Sequence, residues 1–226
     1  MNNGFDIQAA YAITNHLAVT ADMYKRWEKD IYSYYRNTYA FDSSVVKYKR
    51  GVVNIGFGYF FPTNRKQTNF INVYAGIGSG RMKVYDNGTY DSSVYNAAYY
   101  TNFFQWYIHP AFTFMPYRKA FLSVGTKFIF VNYYDVHTNY NQSQLYAAHL
   151  NVLQNRMRSI FQPSVNMQIP VNRSGWMFIN WGFALSLFGD SSDGEYVSRF
   201  ANLSAGLTID FLKYKKRNKK ASSRYQ

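Results

Sequence analysis

What most constrains this chain is an alternation of period two that returns in segment after segment of about ten residues. In Trp176 to Leu187 one parity holds Met177, Ile179, Trp181, Phe183, Leu185 and Leu187, while Asn180, Gly182, Ala184 and Ser186 occupy the other. Successive side chains of a strand point to opposite faces, so such a segment is a strand with one apolar and one small or polar face. The final segment repeats the arrangement, with Leu203, Ala205, Leu207, Ile209 and Phe211 against Asn202, Ser204, Gly206, Thr208 and Asp210. Phe104, Trp106, Ile108, Phe112 and Phe114 alternate with Gln105, Tyr107, His109, Ala111 and Thr113, and Phe161, Val165, Met167 and Ile169 with Gln162, Ser164, Asn166 and Gln168. Weaker versions cover Phe5 to Ile13, Leu17 to Tyr24, Val52 to Phe60, Asn69 to Gly78 and Phe121 to Val131, which brings the candidate strands to nine.

A wide apolar face with a polar one behind it fits a soluble sandwich or a lipocalin-like binder only if the apolar face is covered. Trp106, Phe112, Trp181 and Phe183 on one continuous face are hard to reconcile with water, and composition decides the matter. Aromatics make up 20% of the residues, with 23 Tyr and 19 Phe, yet the mean hydropathy is only −0.36. Tyrosine, apolar in its ring and polar at its tip, concentrates where membrane meets water, and membrane barrels carry girdles of it. No stretch approaches the roughly 18 to 20 apolar residues of a spanning helix, so spanning falls to strands whose backbone groups pair with one another. The expected fold is all-β: a closed antiparallel transmembrane β-barrel of 8 to 10 strands in an up-and-down meander, filling residues 1–212.

Connection lengths assign the two sides. Thr14-Asn15-His16, Pro62 to Thr68, Met115 to Lys119 and Pro170 to Gly175 are short, whereas Glu28 to Ser44, Asp86 to Thr101, Asp135 to Asn155 and Gly189 to Ser198 read as long loops. Bacterial barrels have short periplasmic turns and long extracellular loops, which predicts an outer-membrane location with the long loops outside. Nine strands is an odd number where single-chain bacterial barrels are even. An upstream tenth strand is therefore expected, with Asn2-Asn3-Gly4 as its tight turn, and with it an export signal that Met1-Asn2-Asn3-Gly4 does not supply.

The formal net charge of +13 would ordinarily suggest nucleic acid. Its placement argues against that, because the aromatics alternate within strands and do not interleave with the basic cluster. Arg65, Lys66, Arg118, Lys119 and Arg173 lie in the short turns, and residues 213–226 form a basic periplasmic tail with Lys213, Lys215, Lys216, Arg217, Lys219 and Lys220. Asp42, Asp86, Asp91, Asp135, Asp190, Asp193 and Glu195 lie in the long connections instead. The partner expected for the basic rim is the anionic headgroup layer of the outer membrane, where each nearby cation contributes about 1 kcal/mol.

Motifs with catalytic meaning are scarce. Cysteine is absent, which removes thiolate metal sites and cysteine nucleophiles. His16, His109, His137 and His149 show no metal-ligand spacing, so no metal and no cofactor is expected. Gly76-Ile77-Gly78-Ser79-Gly80-Arg81 lacks the βαβ context of a phosphate loop and reads as inward glycines of a curved strand. Asn87-Gly88 reads as turn chemistry. Asp6, Asp22, His109, Lys127, Asn180 and Asp210 fall on polar parities and are expected to form a lumen cluster that pairs charges and hydrogen bonds inside a narrow barrel. A hydrated path past His109 and Lys127 would make the protein a narrow pore. His137 with Asp135, or His149 with Ser143, would provide ingredients for a lipid- or peptide-hydrolysing barrel. The residues favour a third reading, a non-enzymatic structural, accessory or surface-interaction component, alone or as a subunit of a larger outer-membrane complex.

The hairpin Ala9-Ala10-Tyr11-Ala12-Ile13-Thr14-Asn15-His16-Leu17-Ala18-Val19 resembles the first periplasmic hairpin of small outer-membrane barrels of Bacteroidota. That resemblance covers about ten residues. It implies an outer-membrane barrel, preceded by a lipoprotein or Sec signal and one further strand, and transfers no activity and no functional residue.

Overall fold

A computed structural model of the chain describes residues 3–14, 16–37, 40–65, 68–90, 93–117, 120–142, 145, 157–172, 176–188 and 201–209. The strands are β1 (Asn3–Ala12), β2 (Leu17–Asn37), β3 (Ala40–Pro62), β4 (Asn69–Tyr90), β5 (Ser93–Tyr117), β6 (Ala120–Thr138), β7 (Met157–Pro170), β8 (Met177–Leu185), β9 (Leu187–Phe188) and β10 (Ala201–Ile209). They form one sheet in the order β1-β2-β3-β4-β5-β6-β7-β8-β10, antiparallel throughout, and β9 prolongs the β8 side of the ladder with β7. The nine strands of this path coincide with the nine alternating segments.

The short connections are held by their own side chains. The backbone N–H groups of His16 and Leu17 donate to the Thr14 hydroxyl at 3.1 and 3.0 Å. Asn64 accepts from the backbone N–H of Thr68 at 2.9 Å, and Asn172 from that of Trp176 at 3.2 Å. Local side-chain acceptors of this kind reverse a chain without a long loop.

Three expectations need correction. Closure is the first: among the described residues the sheet is a half-barrel, with no pairing between β1 and β10. An odd number of alternating strands leaves the first and last running the same way, so their edges cannot extend an antiparallel ladder. The second concerns Glu28 to Ser44 and Asp86 to Thr101, whose described residues, 28–37 with 40–44 and 86–90 with 93–101, are strand and not loop. Tyr34 pairs with Asp42 and Tyr90 with Ser93, and Asn87-Gly88 sits inside β4 opposite Val45 and Ser44. The third is Asn3-Gly4, which is ladder and not turn, paired with Trp27 and Arg26. Asn2, most of 143–156, the segment 189–200 and residues 210–226 lie outside the described residues.

β2 to β5 run to 21, 23, 22 and 25 residues, about twice the 9–11 that a tilted strand needs to cross a bilayer. The surplus has a chemistry of its own. On the half nearer the short turns, the convex face is apolar and exposed: Val53, Ile55 and Phe57 on β3, Ile71 and Ile77 on β4, Phe104, Trp106, Ile108 and Phe112 on β5, Phe161 and Val165 on β7, Trp181 and Phe183 on β8. The concave face there carries Asn54, Asn72, Gln105 and Ser186, all buried. On the far half the assignment reverses. The concave face holds a buried apolar cluster of Val46, Tyr48, Val52, Met82, Val84, Tyr99, Phe103, Val131, Tyr133 and Leu145, and the convex face carries exposed Lys25, Lys29, Lys47, Lys49, Arg81 and Lys83. A β-bulge between β5 and β6 lies in this region. Asp135, at φ 55°, is the extra residue of β6 where the register against β5 shifts between Tyr100 and Asn102.

Candidate functional site

The concave face of the half that bears the short turns is the place where the fold gathers polar side chains. Its centre is a hydrogen-bonded chain across three strands: the Gln105 amide of β5 donates to Asn54 Oδ1 at 2.7 Å, and Asn54 Nδ2 of β3 donates to the Asp22 carboxylate of β2 at 2.6 Å. Gln105 and Asn54 are almost fully enclosed, so these bonds are made where water does not compete. A second chain crosses β4, β5 and β6, with Asn72 Nδ2 donating to Thr113 Oγ1 at 2.7 Å and the Thr113 and Ser123 hydroxyls 2.8 Å apart. On the far strands Asn180 Nδ2 donates to Thr208 Oγ1 at 2.5 Å, and Gln162 Nε2 to Ser186 Oγ at 2.9 Å.

Tyr107 fills the middle. Its ring lies beneath the Lys127 ammonium, 4.1 Å from the ring centroid, and its hydroxyl crosses β4 and β3 to reach Thr20 on β2. Gly56 and Gly76 make the passage possible. A Cβ on either would stand 2.7 Å from that hydroxyl, and 2.6 and 2.5 Å from a facing carbonyl oxygen. Gly78 and Gly80 likewise lie beneath Asn54 and Phe103. The glycine run Gly76 to Gly80 is therefore a floor for large side chains of neighbouring strands.

The expected lumen cluster is brought together only in part. Asp6, Asp22 and Lys127 share one region, with both carboxylates acting on the Lys127 charge and Gln8 donating to Asp6 at 3.2 Å. His109 packs against Tyr74, centroids 6.0 Å apart, and its Nε2 has no hydrogen-bond partner among the described residues. Asn180 turns to Thr208 instead. Asp210 and the basic rim residues Lys213, Lys215, Lys216, Arg217, Lys219 and Lys220 lie outside the described residues. Asn54, Gln105 and Tyr107 complete the cluster, and sequence reasoning passed over them as site residues. Their signal was their parity, shared with Gly56 and His109.

In the far half Arg50 lies over Phe103, 4.7 Å from the ring centroid, and beside Tyr24 at 6.0 Å. Burial, and then the neighbouring Tyr133, push the Tyr99 phenol up from its ordinary range, so it stays neutral. Arg26 on β2 donates to Asn202 on β10, a side-chain link between strands near opposite ends of the sheet. At the exposed bulge the Asn102 amide donates to Asp135 Oδ2 at 2.6 Å, and Asp135 Oδ1 stands 3.0 Å from His137 Nε2. His149 and Ser143 lie outside the described residues. Among the described residues no group of three or more His, Asp or Glu is placed to hold a metal ion.

Neither a protein-family profile nor a curated protein sequence matches the chain. Solved structures resembling it include the ferric preacinetobactin receptor BauA of Acinetobacter baumannii, at 13% identity and a TM-score of 0.41, over 92% of this chain and 35% of that one. The ferric citrate transporter FecA is similar at 9% identity and a TM-score of 0.43, over 91% and 38%. The translocator domain of the autotransporter NalP of Neisseria meningitidis matches at 9% and 0.41, over 91% and 73%. The chain thus spans little more than a third of the two receptors it resembles. The fold itself is an antiparallel nine-strand meander curved into a half-barrel, apolar outside and polar inside over the half that bears the short turns.

Proposed function

We propose that this chain spans an outer membrane as part of a β-barrel and works without catalysis, as a structural or accessory component, alone or within a larger outer-membrane complex. The observation that carries the reading is the convex belt, nine neighbouring strands each presenting apolar side chains outward while the concave face behind them is polar. In water this arrangement would expose a very large apolar surface, far above what a soluble monomer tolerates. In a bilayer it places hydrocarbon against hydrocarbon and leaves the polar groups to satisfy one another. Among the described residues β1 and β10 each keep one edge without a partner strand, which supports the accessory part of the reading, since unpaired backbone N–H and C=O groups are costly in lipid and call for a further strand. The side chains laid across the concave face, Tyr107 above all, weigh against an open conduit.

The absence of cysteine makes the test direct. Single-cysteine variants Trp106→Cys and Lys83→Cys are to be treated with a water-soluble maleimide in isolated outer membranes. Labelling of Lys83→Cys, with Trp106→Cys protected until detergent is added, is the expected result. Equal labelling of both without detergent would overturn the membrane reading. Purification in mild detergent then separates the remaining readings: a partner in fixed ratio supports the accessory role, and stepwise conductance of the lone protein in planar bilayers would replace it with a pore.

A further inference from the structure

We infer that the convex faces of β2, β3 and β4, just beyond the apolar belt, form a docking surface for the phosphate-bearing headgroup of an anionic membrane lipid. The inference rests on the membrane reading above and adds a ligand to it. Register alone brings the cations together. Across the sheet Trp27 faces Lys49, Lys49 faces Lys83, and Lys83 faces Tyr100. One rung nearer the belt Lys25 faces Gly51, Gly51 faces Arg81, and Arg81 faces Asn102. One rung further out are Lys29, Lys47 and Tyr85. The six cations Lys25, Lys29, Lys47, Lys49, Arg81 and Lys83 share this face, and from Leu17 to Lys29, Val45 to Phe61 and Ile71 to Asn87 its parity contains no carboxylate.

Lys49 and Lys83 stand directly opposite each other in the ladder, an arrangement that repels unless an anion lies between or above them. Their ammonium groups rest over Tyr85 and Tyr100, at 5.5 and 5.3 Å from the ring centroids, which holds the stems against the sheet and the charges at the surface. Gly51 and Ser79 leave a shallow groove, lined also by Val53, Arg81, Asn102 and Tyr134. The groove opens on the cations at one end and on Val53, Ile55 and Ile77 of the belt at the other. A free anion would use only the first end. A lipid uses both, with its phosphate among Lys49, Arg81 and Lys83 and its acyl chains along the belt. Arg81 adds a planar fork of donors suited to phosphate oxygens.

The test is electron spin resonance of the full chain reconstituted in phosphatidylcholine vesicles, with spin-labelled phosphatidic acid or spin-labelled phosphatidylcholine as probe. The expected result is a motionally restricted population enriched several-fold in phosphatidic acid. That enrichment should fall in each of Lys49→Ala, Arg81→Ala and Lys83→Ala, and vanish in Lys49→Ala/Arg81→Ala/Lys83→Ala. Lys127→Ala, on the concave face, should leave it intact, which separates loss of the surface from general damage. Restricted lipid without selectivity in the native chain, or selectivity that survives the triple substitution, would overturn the inference while sparing the membrane reading. Displacement by inorganic phosphate alone at comparable concentration would assign the surface to a free anion and overturn the lipid. No restricted lipid of either kind would overturn both.

Discussion

The two halves of β3 show what each surrounding demands. From Val53 to Phe61 the outward parity is Val, Ile, Phe, Tyr, Phe and the inward parity begins with a buried Asn54 between Asp22 and Gln105. From Val45 to Val52 the outward parity carries Lys47 and Lys49 while Val46, Tyr48 and Val52 turn inward to an apolar cluster. The ladder with β4 runs through both halves without a slip, from Ser43 opposite Thr89 to Pro62 opposite Phe70. Backbone geometry is therefore common to the two halves, and only the side-chain chemistry has changed faces. The same exchange occurs between Ser79 and Arg81 on β4 and between Phe104 and Asn102 on β5. On the membrane reading proposed above, a sheet leaving lipid for water has to make this exchange, because the cheap side for apolar atoms is the outside in one medium and the inside in the other.

Substitutions that set one half against the other probe this comparison. The largest effect is expected in the far half, where Phe103→Ala removes a fully buried ring at the inner boundary and should cost about 3–5 kcal/mol in urea unfolding of the vesicle-inserted protein. A loss no greater than that of an exposed residue would mean that the far half has no core of its own. Next, Ile77→Arg places a charge on the belt and should cost about 2–4 kcal/mol if that level is near the bilayer centre. The same measurement on Lys83→Ile should show little, and equal costs for the two would erase the distinction between belt and collar.

Gly56→Ala sharpens the account of the concave face. Its Cβ would meet a backbone carbonyl at 2.6 Å and the Tyr107 hydroxyl at 2.7 Å, a backbone clash that should cost about 1–3 kcal/mol. Pairing it with Tyr107→Phe should recover only the part due to the hydroxyl, which a double-mutant cycle reads directly. The smallest effect belongs to Lys83→Ala, within about 0.5 kcal/mol and toward greater stability, because it relieves the repulsion with Lys49. Its consequence should appear in lipid selectivity instead.

Parity could be read because side chains alternate whatever the strand packs against, and the nine alternating segments are the nine strands of the sheet. Strand ends were harder to see. At Gly51, Arg81 and Asn102 the apolar residues stop falling on the outward parity, which resembles the start of a loop. The Lys-Tyr-Lys alternation that follows is the same strand with its faces exchanged, and a search for one apolar parity misses it. The candidate site was legible to the same degree. Asp22 and Lys127 could be placed on the inward face from their own segments, but the partnership of Asp22 with Asn54 and Gln105 depends on the registers of three strands. Asn180, equally polar and equally inward, goes to Thr208 for the same reason.

The sequence alone determined the strands and their two faces, because these depend on residue type and a period of two. Only the tertiary structure decided how far the hairpins continue, which inward groups meet, and that the first and last strands do not pair with each other among the described residues. Those outcomes depend on register, curvature and strand direction summed around the sheet, quantities that no single segment contains.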